Sequence, residues 1–184
     1  LFDERSEAIE NRFKIDVGGI DYDAKFVFEI AGYNLEGNEL GAAFGLIQLE
    51  SLDKNIEIRE RNFKKQNEFF SKYEEIFSIP QQTNNTKTGW LAYPILINKK
   101  AKFKRKDFQI FLEKRDIQTR VVFTGNIIRQ PMMKNVEYRT NNNGYPNADA
   151  VMERGVLLPL HHGMTESMFK RLHLTIDEFL NNYK

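Results

Sequence analysis

The pattern of apolar and polar positions along the chain predicts five helices and three shorter strands. Asn38 can cap a helix. After it Leu40, Ala43, Phe44 and Ile47 fall on one face, so these four are expected to point inward. Gly41, Ala42, Ala43 and Gly45 make this helix slim, which suits close backbone packing but lowers helicity. Ser51-Leu52-Asp53 interrupts, and a second helix is expected over residues 53–77, with Ile56, Phe63, Phe70, Tyr73 and Phe77 inward and Pro80 beyond its end. Residues 89–98 form an apolar, β-rich run, in which Pro94 favours an edge or a bulge. Residues 107–115 are a short helix with Phe108, Phe111 and Leu112 inward. Residues 118–124 alternate as a strand, with Val121 and Phe123 opposite Arg120, Val122 and Thr124. Gly125-Asn126 ends that strand and Arg129-Gln130-Pro131 closes the turn. Asn147 is the expected cap of a helix to Arg154, Gly155 its stop, and residues 156–160 a third strand. Thr165 caps a last amphipathic helix with Met168, Leu172, Ile176, Phe179 and Leu180 inward. Residues 25–30 also alternate, as a strand or an extended connector.

Helices interspersed with three short strands predict an α+β fold, a layer of helices on one small sheet. At 184 residues the chain can bury a core, and a net charge of +1 gives no argument for nucleic acid, a membrane surface or an acidic partner. There is no cysteine, which excludes disulfides, thiolate nucleophiles and cysteine-held zinc or iron–sulfur clusters within the chain and fits a reducing cytosol. No apolar run reaches the roughly 20 residues a membrane helix needs. The chain begins Leu-Phe-Asp without an initiator Met, as a processed product or a piece of something longer would. Asn84-Asn85-Thr86 fits a glycosylation sequon, without secretory context.

The chemistry-bearing residues are few. The turn at 118–131 carries two guanidiniums, an amide and a hydroxyl on an apolar frame. That set suits an anionic or hydroxyl-rich ligand, and it equally suits an ordinary strand–turn with solvated arginines. Six of the eight residues 99–106 are basic, which reads as a solvated loop before it reads as a phosphate site. His161-His162 follows the third strand, and adjacent residues on an extended segment face opposite ways, so one of them at most serves a given pocket. His173 lies on the last helix, at its surface or at the edge of the core. No metal-ligand spacing and no phosphate-cradling glycine motif is present.

Taken in order, several of these residues resemble a known family. Gly32-Tyr33-Asn34-Leu35 followed by residues 39–49 is similar to a segment of the DegT/DnrJ/StrS sugar aminotransferases. Thr119-Arg120, Gly125-Asn126 and Arg129-Gln130-Pro131 resemble the signature of the branch that includes the CDP-4-keto-6-deoxyglucose 3-dehydrases and their lipopolysaccharide-synthesis relatives. Arg12-Phe13, the region Asp21-Tyr22-Asp23-Ala24-Lys25, and residues 157–160 with Gly163-Met164-Thr165 look like further segments of that branch.

The resemblance implies a pyridoxal phosphate-dependent enzyme of fold type I acting on nucleotide-linked 4-keto-6-deoxy sugars, by aminotransfer or C3 dehydration. It implies a cytoplasmic homodimer feeding surface-polysaccharide synthesis. Residues 1–52 would end the large cofactor domain, with a connecting helix. Residues 53–184 would be the C-terminal small domain, with a mainly antiparallel sheet. The residue anchoring the cofactor, a lysine in aminotransferases or a histidine in dehydrases, would lie outside this chain, so that no catalytic residue is expected within it. Asn34 would hold the cofactor phosphate of the neighbouring subunit. Arg120, Asn126 and Arg129 would line or brace the sugar-nucleotide side, with His161 or His162 at the pocket. The chain departs from the family pattern at Glu36, where a basic residue is common, at Ala24 and at His162. It also lacks the upstream cysteines that hold an iron–sulfur cluster in some dehydrases, so none is expected. Outside the enzyme class, the chain alone could serve as a non-catalytic module for dimerisation or nucleotide-sugar binding.

Overall fold

The structure is a computed structural model that describes Ile15, Asp16, Asp21, Tyr22, Tyr33 and residues 37–183. The chain divides into two compact units, Leu1–Ile47 and Gln48–Lys184. In the first, strands β1 (Ile15–Asp16) and β2 (Asp21–Tyr22) pair antiparallel, Ile15 opposite Tyr22. Helix α1 (Glu39–Glu50) begins in the first unit and ends in the second, and it starts where its cap predicts. The Asn38 Oδ1 accepts the backbone N–H of Leu40 at 2.9 Å and of Gly41 at 3.2 Å. The expected inward face of α1 is not buried: Leu40 is 83% exposed and Phe44 68%. A helical period says which face is apolar, not whether anything covers it. Asn34 and residues 25–30 lie outside the described residues.

The second unit holds the core. Helix α2 (Leu52–Phe70) is shorter than its period suggests. It passes into a 3-10 turn (Ser71–Tyr73), and Phe77 belongs to strand β3 (Phe77–Ser78) rather than to the helix. Phe70 and Phe77 both reach the core, their rings 5.3 Å apart edge to face, so burial alone could not reveal the break between them. Strand β4 (Ala92–Ile97) pairs antiparallel with β3 on one side and with β5 (Gly155–Pro159) on the other. Helices α3 (Arg105–Glu113), α4 (Pro146–Arg154) and α5 (Glu166–Asn181) complete the unit. The α4 helix begins at Pro146, with Tyr145 rather than Asn147 before it, since the fixed φ of proline suits the first helical position.

The α+β expectation holds, with helices on a three-stranded antiparallel sheet. Alternate residues Tyr93, Ile95 and Ile97 of β4, and Val156 and Leu158 of β5, are buried. They share one core with Phe63 and Phe70 of α2, Phe108 and Leu112 of α3, and Leu172, Ile176 and Phe179 of α5. The strand expected at residues 118–124 is reduced to one bridge, Arg120 to Leu157, and β3, on the far side of β4, makes the third strand of the sheet.

Pro94 stands on the central strand, opposite Leu157, rather than at an edge or bulge. Both backbone polar groups of Leu157 bond Arg120, so the Pro94–Leu157 pair exchanges no hydrogen bonds. The Pro94 nitrogen therefore faces the other side of β4. There β3 reaches only Leu96 and Ile97, and no ladder bond is lost.

A buried polar layer joins α2 to β5 and α5. The Asn62 amide donates to the carbonyls of Leu160 (3.3 Å) and His161 (3.0 Å), and the Gln66 amide to Pro159 (3.3 Å). The Gln66 Oε1 lies 2.9 Å from the His173 Nε2, and the His173 ring stacks on Phe69 at 3.9 Å. Burial lowers the His173 pKa to about 4, against a raising contribution from Asp177. The folded state thus prefers neutral His173 while the unfolded chain protonates near 6.5. Above that value there is no penalty, and stability falls as pH drops from about 6.5 towards about 4. Urea midpoints at pH 7 and pH 4.5 should differ more in the wild type than in His173→Gln. An equal difference in both would remove His173 as the cause.

Candidate functional site

The candidate residues gather at two ends of β5. The first end is the elbow after Arg120. Thr119 is buried, its hydroxyl donating to the Glu113 carboxylate at 2.9 Å and accepting from Gln109 at 3.1 Å. The Arg120 backbone exchanges bonds of 3.1 and 2.7 Å with Leu157. The extended conformation then ends early. Phe123 adopts a left-handed φ of 44° and is 87% exposed, and the Gly125 N–H bonds the Val122 carbonyl at 2.9 Å. A left-handed phenylalanine breaks the alternation that residues 118–124 show in sequence. Gly125, at φ 64°, packs against Met152 of α4 so closely that a Cβ would stand 2.4 Å from the Met152 Cβ.

Asn126 and Arg129 are both committed to one carboxylate. The Asn126 amide donates to the Asp149 Oδ1 at 2.7 Å, and its Oδ1 accepts the Ile128 N–H at 3.3 Å. The Arg129 Nη2 donates to the Asp149 Oδ2 at 2.8 Å, and its Nε to Oδ1, a two-pronged pair. The Arg129 bonds, and after them the Asn126 amide, hold the Asp149 carboxyl at about 2. These contacts clasp the elbow to α4. Sequence reasoning missed Asp149, because nothing local relates it to residues 23 and 20 positions away.

At the other end of β5 lies a cavity of about 430 Å³. Arg120, His161, Arg171 and Asp116 line it, over an apolar floor that includes Leu157, Met164, Met168 and Leu172. The Arg171 Nη2 donates to the Asp116 carboxylate at 3.2 Å and to the Arg115 carbonyl at 2.5 Å. The His161 Nδ1 accepts the Gly163 N–H at 3.2 Å. The two adjacent histidine rings are crossed at 88°, and His161, not His162, lines the cavity. Met168 is 51% exposed at the rim rather than inward. The six steps from Gly155 to His161 span roughly 20 Å of extended chain, so the elbow clasp and the histidine turn do not converge on one small pocket. Gln118 and Arg120 belong to both the elbow segment and the cavity. Arg171 and Asp116 had no signal in the sequence beyond being charged residues near an amphipathic helix and a turn.

Among the described residues no cluster of histidines and carboxylates is arranged to hold a metal ion, and no helix is long and apolar enough to cross a membrane.

Residues 3–176 match the model of the DegT/DnrJ/EryC1/StrS aminotransferase family. The chain is 30% identical over 170 residues to the lipopolysaccharide biosynthesis protein RfbH of Salmonella typhimurium, covering 91% of this chain and 39% of that protein. It is 33% identical over 171 residues to dTDP-4-dehydro-2,6-dideoxy-D-glucose 3-dehydratase of Saccharopolyspora spinosa, covering 92% and 37%. Among solved structures, Escherichia coli GDP-4-keto-6-deoxy-D-mannose-3-dehydratase with bound hydrated PLP superposes with a TM-score of 0.70 at 25% identity, covering 83% of this chain and 38% of that one. The chain thus spans well under half the length of the relatives it matches.

Proposed function

The chain belongs to the DegT/DnrJ/EryC1/StrS aminotransferase family, and from that premise we propose that it forms the small-domain part of a pyridoxal phosphate-dependent enzyme acting on nucleotide-linked 4-keto-6-deoxy sugars. The reaction is aminotransfer or C3 dehydration, in a cytoplasmic homodimer that supplies surface-polysaccharide synthesis. The observation that carries this reading is the similarity, over nine-tenths of the chain, to a lipopolysaccharide biosynthesis protein and to a nucleotide-sugar 3-dehydratase. In this reading residues 1–52 close the cofactor domain and residues 53–184 are the small domain.

We propose that the cofactor's anchor lies outside this chain. No lysine is among the residues lining the cavity beside Arg120 and His161, so no amine there meets an aldehyde. In this reading no step of the cofactor's chemistry falls to this chain, and Asn34 is proposed to hold the cofactor phosphate. For the sugar nucleotide, Arg120 and His161 are proposed as contacts, with His162 on the same turn. Asn126 and Arg129 act as the brace that sets the elbow against α4, because their donors already serve Asp149.

The test is direct. The chain incubated with pyridoxal phosphate and reduced with borohydride is expected to show no stoichiometric adduct at a single lysine by peptide mass mapping. A one-to-one, site-specific adduct would overturn the placement of the anchor elsewhere. The enzyme carrying the chain, given a nucleotide-linked 4-keto-6-deoxy sugar and an amino donor, should yield an amino sugar or a 3-deoxy product, and turnover of neither would remove the reading. The exposed apolar residues of α1 favour one alternative, an association module without catalysis. Self-association of the chain with no affinity for any sugar nucleotide would favour it.

A further inference from the structure

We propose that the lysine-rich rim at residues 99–106 docks the protein on an anionic phospholipid surface. Six of these eight residues are basic and none is acidic. The whole chain carries 27 lysines and arginines against 26 aspartates and glutamates, so outside this rim it is net acidic. A net charge of +1 thus conceals a polarised molecule, and an anionic plane attracts the rim while it repels the rest. Lys99, Lys100, Lys102, Lys104 and Lys106 are all exposed, and among the described residues none of them pairs with a carboxylate. Phe103 is buried between the rings of Phe108 (6.1 Å) and Phe179 (4.8 Å), which pins the loop to the core while the lysines around it stay in solvent. The Asp107 carboxylate is occupied by the Lys104 backbone N–H at 3.2 Å.

The rim works against its own fold. Lys104 precedes α3, and Arg105 and Lys106 are its first residues, so three cations stand at the helix end where the peptide dipole is already positive. Cations that oppose the dipole and one another weaken the isolated protein, and a layer of external anions relieves both. Arg105 is spent within the fold, donating to the Met152 carbonyl at 2.6 Å. The free cations are therefore ammonium groups, hydrated point charges without the planar fork that selects one phosphate. They suit a diffuse array of lipid headgroups. Nucleic acid is the poorer fit, because Phe103, the one aromatic of the stretch, is buried and cannot stack on a base. The outer side of α3 extends the surface: Lys106, Ile110 and Lys114 recur at every fourth position, and all three are exposed. Ile110, 42% exposed, offers the apolar contact that interfacial helices add to their charges. The neighbouring Glu113 carboxylate is taken by the N–H and the hydroxyl of Thr119.

Co-sedimentation of the 184-residue chain with phospholipid vesicles tests the surface. Binding to phosphatidylcholine vesicles containing about one-third phosphatidylglycerol should be about tenfold or more tighter than to phosphatidylcholine alone, and should be lost at about 0.5 M salt. A lysine near such a surface contributes roughly fivefold, so Lys100, Lys102, Lys104 and Lys106 changed together to glutamine should weaken binding about a hundredfold or more. The thermal melt of that variant should be unchanged or higher, since cations leave a helix N-terminus. The same four positions changed to arginine should keep the binding. Four exposed lysines elsewhere, Lys54, Lys64, Lys134 and Lys170, changed together to glutamine remove as much charge and should cost less than about tenfold. Absence of binding to the anionic vesicles would overturn the proposal. So would equal binding to both vesicle types, a glutamine rim variant that binds as the wild type does, or a control variant as weak as the rim variant. Tighter binding to a single-stranded oligonucleotide than to anionic vesicles would assign the rim to nucleic acid and overturn the lipid surface.

Discussion

Phe108→Ala is expected to lower the unfolding free energy by about 4 kcal/mol, measured by urea denaturation of the chain. Phe108 is 0% exposed and stands among the rings of Phe77 (5.6 Å), Phe103 (6.1 Å) and Phe179 (5.2 Å). It thereby joins β3, the loop before α3, and α5. Truncation removes the transfer energy of the ring and leaves a cavity whose walls are held by three different elements, which limits collapse. Phe108→Leu keeps most of the volume and should cost about 1.5 kcal/mol. A loss below about 2 kcal/mol for the alanine variant would mean that the surrounding rings close the gap, and that the core is looser than its packing indicates.

Gly125→Ala should cost about 3 kcal/mol, close to the sum of a left-handed non-glycine residue and an overpacked contact. At φ 64° alanine is strained whatever the space around it. Here the space is absent as well: a Cβ would lie 2.6 Å from the Met152 Cα, which is backbone and cannot rotate away. The elbow must then back off α4, drawing Asn126 and Arg129 from Asp149. A denaturant midpoint equal to the wild type would show that the elbow and α4 are not in contact. Loss of the Asn126–Asp149 bond should also appear as faster amide exchange at Ile128, whose N–H the Asn126 side chain accepts.

How much of this was readable from residue order depends on how local each cause is. The caps at Asn38 and Thr165 were legible, because a side-chain oxygen and an N–H two or three residues on make the whole interaction. Strand β4 was legible from its β-rich apolar run. The end of α2 was not, because Phe70 and Phe77 reach the same core from either side of the turn. The strand at 118–124 failed at Phe123, whose backbone sign has no signature in a β-favouring residue type. At the site, the elbow residues stood out as a motif, but their partner Asp149 did not. The same holds for Arg171, which only the fold brings beside Arg120. The motif named a family; the contacts divided its residues into a clasp at one end of β5 and a cavity at the other.

The position of Pro94 carries a consequence for solubility. Between Ala92 and Ile95 the β3 side of β4 has no neighbouring strand in the ladder, a stretch on which a foreign strand could dock. Pro94 lies in its middle with no N–H to offer, and its ring obstructs close approach. Pro159 does the same on β5: it sits two residues from Leu157 in the alternating register, so its nitrogen faces away from β4, past the single bridge that Arg120 makes. The open stretch beside β4 and the margin of β5 each thus hold a residue that cannot extend a ladder. The two prolines therefore guard a protein rich in exposed apolar side chains against edge-to-edge aggregation.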